Sequence, residues 1–276
     1  MREETQRGYR RPGRKGYLLL AGFALLLVLL PFLFWYDTWF GRRLTDAQID
    51  QYFADHAIPR HAQHALVQIG ERLSRHQDVS RWYPQILEQS RSPVLELRQT
   101  AAWIMGQERG YPPFHSALLS LLQDPEPMVR RNAALALAAY GDSAARPELI
   151  QMLRPFTITA SAAGILRYRL KPGDYVNPGT LVAHIGASEV RSAVPGEVRE
   201  LARPDGSRIE RGDPIADLAP DKNHVWEALR GLYLVGQPAD LEDVSRYLRP
   251  APGMPESIAR QALATEEAIR TRRPPF

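Results

Sequence analysis

The chain has 276 residues, of which 44% are hydrophobic and 24% are charged, so it holds enough apolar material for one large or two modest domains. It contains no cysteine, which excludes disulfides, thiolate metal sites and cysteine nucleophiles. The formal net charge of +4 is carried by residues 1–15, which hold six basic and two acidic side chains. The remaining chain is neutral overall and argues against a nucleic-acid partner.

An uncharged segment follows this basic N-terminus. Nineteen residues from Leu18 to Tyr36 carry no charge, and a helix of that length spans roughly 28 Å. We therefore expect a cytoplasmic tail at 1–16 and an uncleaved transmembrane helix at 17–40, since no signal-peptidase pattern follows the run. The aromatic residues expected at one membrane interface are Phe34, Trp35, Tyr36, Trp39 and Phe40.

The distribution of basic residues predicts how this helix is oriented. All six N-terminal basic residues precede the helix, and the positive-inside rule keeps such an end in the cytoplasm. The prediction is a single-pass protein of a bacterial inner membrane, with residues 41–276 in the periplasm and with the bilayer contacted through 17–40.

A helical repeat follows the apolar segment. Residues 121–142, LLQDPEPMVRRNAALALAAYGD, contain a helix end, a short turn with Asp and Pro, and an Ala-rich helix that stops at Gly141. The pattern recurs 32 residues earlier, and again 39 residues before that. The positions expected on the buried faces are Ile58, Ala62, Leu66 and Ile69, then Leu97, Ala101, Ala102 and Met105, then Val129, Ala133, Ala134, Leu137 and Tyr140.

This unit resembles a HEAT repeat, close to the short variety of phycobilin-lyase-like proteins. The resemblance implies an α-solenoid in which each repeat buries its apolar face against its neighbours. We expect HEAT-like repeats at 41–156 and 220–276, with residues 241–248 and 256–270 as the terminal unit. The fourth unit lacks its second helix until residues 224–237, where 95 residues replace the expected 32, so about 63 residues are inserted.

The insert, at 157–219, alternates apolar residues with Pro-Gly and Asp-Gly turns, a pattern typical of short β-strands. Its two halves match at an offset of 32 or 33 residues. Gly164, Gly173, Val176, Gly179, Val182 and Ile185 recur as Gly196, Gly206, Ile209, Gly212, Ile215 and Leu218. The glycines are expected to supply turn conformations that a β-carbon disfavours.

This tandem motif resembles the biotinyl/lipoyl barrel-sandwich hybrid, including its relatives in the membrane-fusion proteins of bacterial export pumps. In the carrier families, a lysine on the hairpin between the halves takes biotin or lipoate. The junction here, HIGASEVRSAVPG at 184–196, has no lysine, and Lys171 lies within the first half. The resemblance therefore implies an unmodified β domain without biotin, lipoate or another cofactor, and the long helical hairpin of membrane-fusion proteins is also missing.

Few residues have the spacing of a chemical site. His61 and His64 lie one helical turn apart, with Asp55 and His56 upstream, and are weak candidates for metal ligands. Asp174 and Asp213 follow turn glycines and are expected to stabilise those turns. The sequence shows no nucleophile motif, phosphate loop or dinucleotide fingerprint, so we predict no catalytic or cofactor-binding residue and no enzyme.

The predicted fold class is mainly α: a single transmembrane helix and a HEAT-like α-solenoid with an inserted all-β hybrid domain. The predicted function is a non-catalytic, membrane-anchored periplasmic scaffold, serving as an accessory subunit of an integral inner-membrane protein complex. Two alternatives stay open. One is a periplasmic adaptor of an export system, and the other is a bilin-lyase-like enzyme.

Overall fold

A computed structural model describes residues 14–38, 43–249 and 253–272. The chain divides into two compact units, residues 1–54 and residues 55–276. The first unit contains α1 (Arg14–Thr38), which includes Pro31, and α2 (Asp46–Ala54). Apolar side chains of α1, such as Leu18 and Leu19, are exposed.

The prediction of a membrane span is wrong. A span needs about 20 consecutive apolar residues in one helix. None of the helices within the described parts of the chain combines that length with that composition. The transmembrane helix at 17–40, the bilayer contact and the inner-membrane and periplasmic localisation are corrected accordingly, because they were inferred from a run of uncharged residues alone. Most of the predicted tail, and Trp39 and Phe40 of the aromatic cluster, lie outside the described residues.

The second unit is a stack of helices in which short and long helices alternate along the chain, and the long helices pack on one another in sequence order. The alternation confirms the predicted HEAT-like helical solenoid. The helices are α3 (Pro59–Ser74), α4 (Tyr83–Gln89), α5 (Leu95–Gln107), α6 (Pro112–Leu121), α7 (Pro127–Ala139), α8 (Arg146–Met152), α9 (Lys222–Val235), α10 (Leu241–Ser245) and α11 (Glu256–Thr271).

The buried faces of the long helices follow the predicted period, with one exception. Leu66, Leu97 and Leu137 are fully or almost fully buried, as are the alanines beside them. Ile58, predicted as the first residue of such a face, is 46% exposed. It lies before Pro59, which begins α3, so Ile58 is outside the helix and does not share its buried face.

Two arginines make the same contacts in consecutive repeats. The Nη1 group of Arg98 donates to the carbonyls of Ser92 and Pro93, and Arg130 does the same to Asp124 and Pro125. In each case the Nε group donates to a carboxylate further along the chain, Asp124 for Arg98 and Glu148 for Arg130. These charge-assisted bonds tie each turn to the start of a long helix and to the next repeat.

The β region lies between α8 and α9 and contains eight strands. They are β1 (Phe156–Thr159), β2 (Gly164–Tyr168), β3 (Tyr175–Val176), β4 (Leu181–Ile185), β5 (Ser188–Arg191), β6 (Gly196–Leu201), β7 (Arg208–Ile209) and β8 (Pro214–Pro220). One sheet has the order β1-β8-β6-β3 and the other β5-β4-β2-β7. Apolar side chains of both sheets form one core, which includes Leu166, Ile185, Val198 and Leu218.

The two sheets are copies of each other. Each strand of the first sheet has its counterpart 32 or 33 residues away in the second, and the pairing Phe156–Leu218 corresponds to Ser188–Ile185. Gly173 and its equivalent Gly206 have φ angles of 92° and 83°, a conformation that side chains with a β-carbon rarely adopt. The match of the two halves in sequence therefore reflects a duplicated structural unit.

The hairpin between β4 and β5 joins the two halves and turns at Gly186, which has a φ of 58°. Lys171 lies in the loop between β2 and β3, where its backbone N–H donates to the Asp174 carboxylate. The Glu210 N–H donates to Asp213 in the same way. The predicted turn roles of both aspartates are confirmed.

The chain enters and leaves the β region at neighbouring strands, since β1 pairs with β8. On either side of this region, α8 packs against α9. The Tyr247 hydroxyl donates to the Leu153 carbonyl, and Arg154 pairs with Asp243 at 2.7 Å. The helices before and after the β region are thus in direct contact, and both belong to the second compact unit.

Candidate functional site

A groove of about 600 Å³ runs across the long helices α5, α7, α9 and α11. We call it the inner groove. It is lined by Trp103, Gly106, Gln107, Asn132, Leu135, Ala136, Ala138, Ala139, Glu227, Arg230, Gly231, Tyr233, Leu234, Gln261 and Ala264. Its lining comes from four successive repeats, and the β region lies between the second and third of these helices in the sequence.

Small residues let the helices that form the groove approach each other closely. A β-carbon placed on Gly106 would lie 2.7 Å from Cβ and 3.0 Å from Cα of Ala136. A β-carbon on Gly231 would lie 2.9 Å from Cδ1 of Leu149. Because Gly106 and Gly231 carry no side chain, these contacts are between backbone and neighbour, and the larger side chains of the lining are left at the surface.

Large apolar side chains are exposed in the inner groove. Trp103 is 49% exposed, although one edge of its indole ring covers Gly70 on α3. Tyr233 and Leu234 of α9 are about as exposed as Trp103. Aromatic and aliphatic side chains that remain in water are characteristic of surfaces that another molecule covers.

Polar groups of the groove are mostly amides, with two charges on α9. The Asn132 side chain donates to the Gln99 carbonyl, and the Gln261 amide donates to the Thr265 hydroxyl. The guanidinium of Arg230 lies 4.6 Å from the centre of the Trp226 ring, a cation–π contact. Burial raises the pKa of the half-buried Glu227 carboxyl, the negative charge of Asp221 adds to this, and Arg230 opposes it.

This arrangement is suited to binding rather than to proton or group transfer. Rings and aliphatic side chains contribute free energy when they are removed from water, and amides supply directional hydrogen bonds. The sequence analysis did not identify this site. The available signal was the presence of Trp103, Tyr233 and Leu234 at helix positions outside the buried stripe.

The structure separates the two histidines that were weak metal candidates. The His61 Nδ1 lies 2.7 Å from the Asp55 carboxylate, whereas His64 is buried. Within the described ranges, no group of three or more His, Cys, Asp and Glu side chains is placed to hold a metal ion. Metal binding at His61 and His64 stays a prediction, and neither residue lines the inner groove.

A second polar cluster connects the β region to the helices. The Asp221 carboxylate caps α9 by accepting from the backbone N–H groups of Asn223 and His224, and it also accepts from the Tyr175 hydroxyl of β3. The buried guanidinium of Arg131 on α7 donates to Nδ1 of His224 at 2.9 Å. The capping Asp before a helix is visible in the sequence, but the pairing of Arg131 with His224 is not.

Comparison with known proteins agrees with the helical architecture. Residues 83–165 match the family model for HEAT repeats. The match begins at α4 and ends within β2, so it confirms the repeat prediction for the part of the solenoid before the β region. HEAT repeats are generally non-catalytic and suggest a protein-interaction scaffold.

One curated relative is similar over a short stretch. The chain is 41% identical over 63 residues to an uncharacterised protein, YqeB, of Escherichia coli strain K12. The stretch amounts to 23% of this chain and 12% of that protein. The chain therefore spans a small fraction of the length of this relative.

Proposed function

We propose that this protein is a non-catalytic scaffold whose inner groove binds a segment of another protein, as an accessory subunit of a larger complex. The observation that carries the proposal is the exposure of Trp103, Tyr233 and Leu234 in a groove formed by four successive repeat helices. A groove of about 600 Å³ accommodates several side chains of a partner. Few such anchors commonly supply most of the free energy of a protein interface.

The β region supports this function as an inserted, unmodified hybrid domain. We infer the insertion at 157–219, between solenoid parts at 41–156 and 220–276, from the pairing of β1 with β8 and the contact of α8 with α9. The relation to biotinyl/lipoyl domains is supported by the duplicated sheets and by the hairpin at Gly186, where a carrier would have lysine. Intact mass spectrometry should show no biotin or lipoate; a modified Lys171 would contradict the inference.

The alternatives gain no comparable support. An export adaptor depended on the membrane anchor, which the described helices do not provide. A bilin-lyase-like enzyme depended on family resemblance, and the inner groove presents rings, aliphatic groups and amides with a single carboxyl group.

The groove can be tested without knowing the natural partner. Random peptides displayed on phage would be selected on the purified protein and then measured as labelled peptides by fluorescence polarisation. We expect Trp103→Ala and Leu234→Ala to weaken binding at least tenfold, because each removes an apolar anchor worth about 1–3 kcal/mol. Leu119→Ala is the matched control, since Leu119 is exposed on α6 and does not line the groove.

The outcome that contradicts the proposal is specific. If the selected peptides bind Trp103→Ala and Leu234→Ala as tightly as the unmodified protein, the inner groove is not the binding surface. Circular dichroism on each variant shows whether the helices are intact, so that a loss of folding is not mistaken for a loss of binding.

A further inference from the structure

The electrostatics of the inner groove limit which segments fit it. Glu227 lies on α9 between the apolar side chains of the groove and is half-buried. Its carboxylate makes no ion pair or hydrogen bond with any residue in the described part of the chain. The pKa of this group is already raised by burial in the free protein.

A bound segment would remove more water from this carboxylate. Burying a charge without a partner costs several kcal/mol, whereas pairing it with a cation offsets the cost. An uncharged apolar segment lying over Glu227 would therefore bind with a penalty. The same penalty would be larger for an acidic segment, so the groove discriminates by charge as well as by shape.

The protein does not supply the missing cation from the groove itself. Arg230 is the single basic residue of the lining, and its guanidinium lies against the Trp226 ring. It lowers the pKa of Glu227 only in part, since burial and Asp221 together outweigh it. A positive charge brought by the partner would satisfy the carboxylate.

Resting on the function proposed above, we propose that the segment bound in the inner groove carries a lysine or arginine that pairs with Glu227. Apolar side chains on either side of that residue pack on Trp103 and on Leu234. The occupant is thus a protein segment with one basic residue between apolar residues. This chemistry follows from the complementarity of an unpaired carboxylate and an exposed apolar lining.

Charge exchange in the peptide selection tests the pairing. Selections would be run on the unmodified protein, Glu227→Gln, Glu227→Lys and the control Glu267→Gln, whose carboxylate is exposed on α11 outside the groove lining. We expect basic residues to be enriched with the unmodified protein and with Glu267→Gln. The enrichment should vanish with Glu227→Gln and change to acidic residues with Glu227→Lys.

Synthetic peptides measure the same effect as an affinity. Replacing the selected lysine by norleucine should weaken binding about tenfold to the unmodified protein and leave binding to Glu227→Gln nearly unchanged. Equal loss in both proteins, or an unchanged preference with Glu227→Lys, would overturn the pairing. Because Glu227 has no partner in the free protein, Glu227→Gln should fold normally, and its thermal unfolding provides the check.

The test separates the two proposals. Peptides that require Trp103 but show no preference for basic residues would leave the scaffold function standing and refute the role of Glu227. Peptides that do not require Trp103 would refute the groove and the pairing together. Sedimentation of the protein as a dimer that Trp103→Asp dissociates would identify a second copy as occupant and would also overturn the pairing.

Discussion

At the scale of single residues, His224 links pH to stability. Its Nδ1 accepts from Arg131, so the neutral ring carries its proton on Nε2. Burial lowers the pKa of His224 to about 4, from an ordinary 6.5, the charge of Arg131 lowers it further, and Asp221 opposes the shift. The folded protein therefore keeps this imidazole neutral at a pH where the unfolded chain protonates it.

The direction of the pH effect follows from this difference in proton binding. The contribution of His224 is fully present above pH 6.5 and is lost as the pH falls towards 4, because the unfolded chain then binds more protons. We expect His224→Gln to reduce the loss of unfolding free energy between pH 7 and pH 4.5 by roughly 2 kcal/mol, within the limit set by about 1.4 kcal/mol per pKa unit.

Urea unfolding at the two pH values measures this term. His56→Gln is the control, because His56 is an exposed histidine on the surface. The control should keep the pH dependence of the unmodified protein. A His224→Gln variant with the same dependence would show that the buried imidazole does not stay neutral.

At the scale of helices, close approach depends on glycine. Alanine at Gly106 gains about 1 kcal/mol of helix propensity, but its β-carbon would lie 3.0 Å from the backbone Cα of Ala136, which cannot move without moving α7. At Gly231 the nearest atom is the end of the flexible Leu149 side chain. The two substitutions therefore differ in whether the obstacle can yield.

We expect Gly106→Ala to destabilise the protein by about 1–2 kcal/mol, since overpacking outweighs the gain in propensity. Gly231→Ala serves as the matched comparison and should change stability by less than about 0.5 kcal/mol, because a side-chain rotation relieves its contact. Thermal unfolding of both variants gives the comparison. A stabilised Gly106→Ala variant would mean that α5 and α7 can separate easily at this point.

At the scale of the whole molecule, the β region can be removed in a test of continuity. Deleting residues 156–220 and joining Arg154 to Asp221 by a short turn should leave a folded helical stack, because α8 and α9 pack directly and Arg154 still pairs with Asp243. The far-UV spectrum should become more helical per residue, with one cooperative thermal transition.

A companion substitution tests the same continuity from inside the helices. Leu232 is fully buried on α9, and Leu232→Asp should destabilise the helices on both sides of the β region by placing a charge in a shared core. Exposed Leu263 on α11 provides a control position, at which the same change should be tolerated. Loss of all structure on deletion of the β region would show that the helices depend on it.

The sequence by itself determined the elements that depend on local pattern. The spacing of Leu97, Ala101 and Met105 sets the buried face of a helix, and the paired glycines Gly173 and Gly206 set equivalent turns, because both signals act over a few residues. The predicted span at 17–40 failed because a run of uncharged residues describes composition alone.

Only the tertiary structure decided where the inner groove lies and which charges meet. Trp103 and Leu234 come from helices separated in the sequence by the whole β region, and Arg131 meets His224 across 93 residues. Side chains that contribute to such a surface lie outside the buried stripes, so periodicity does not constrain them. The packing of successive repeats brings them together, and it also leaves Glu227 without a partner.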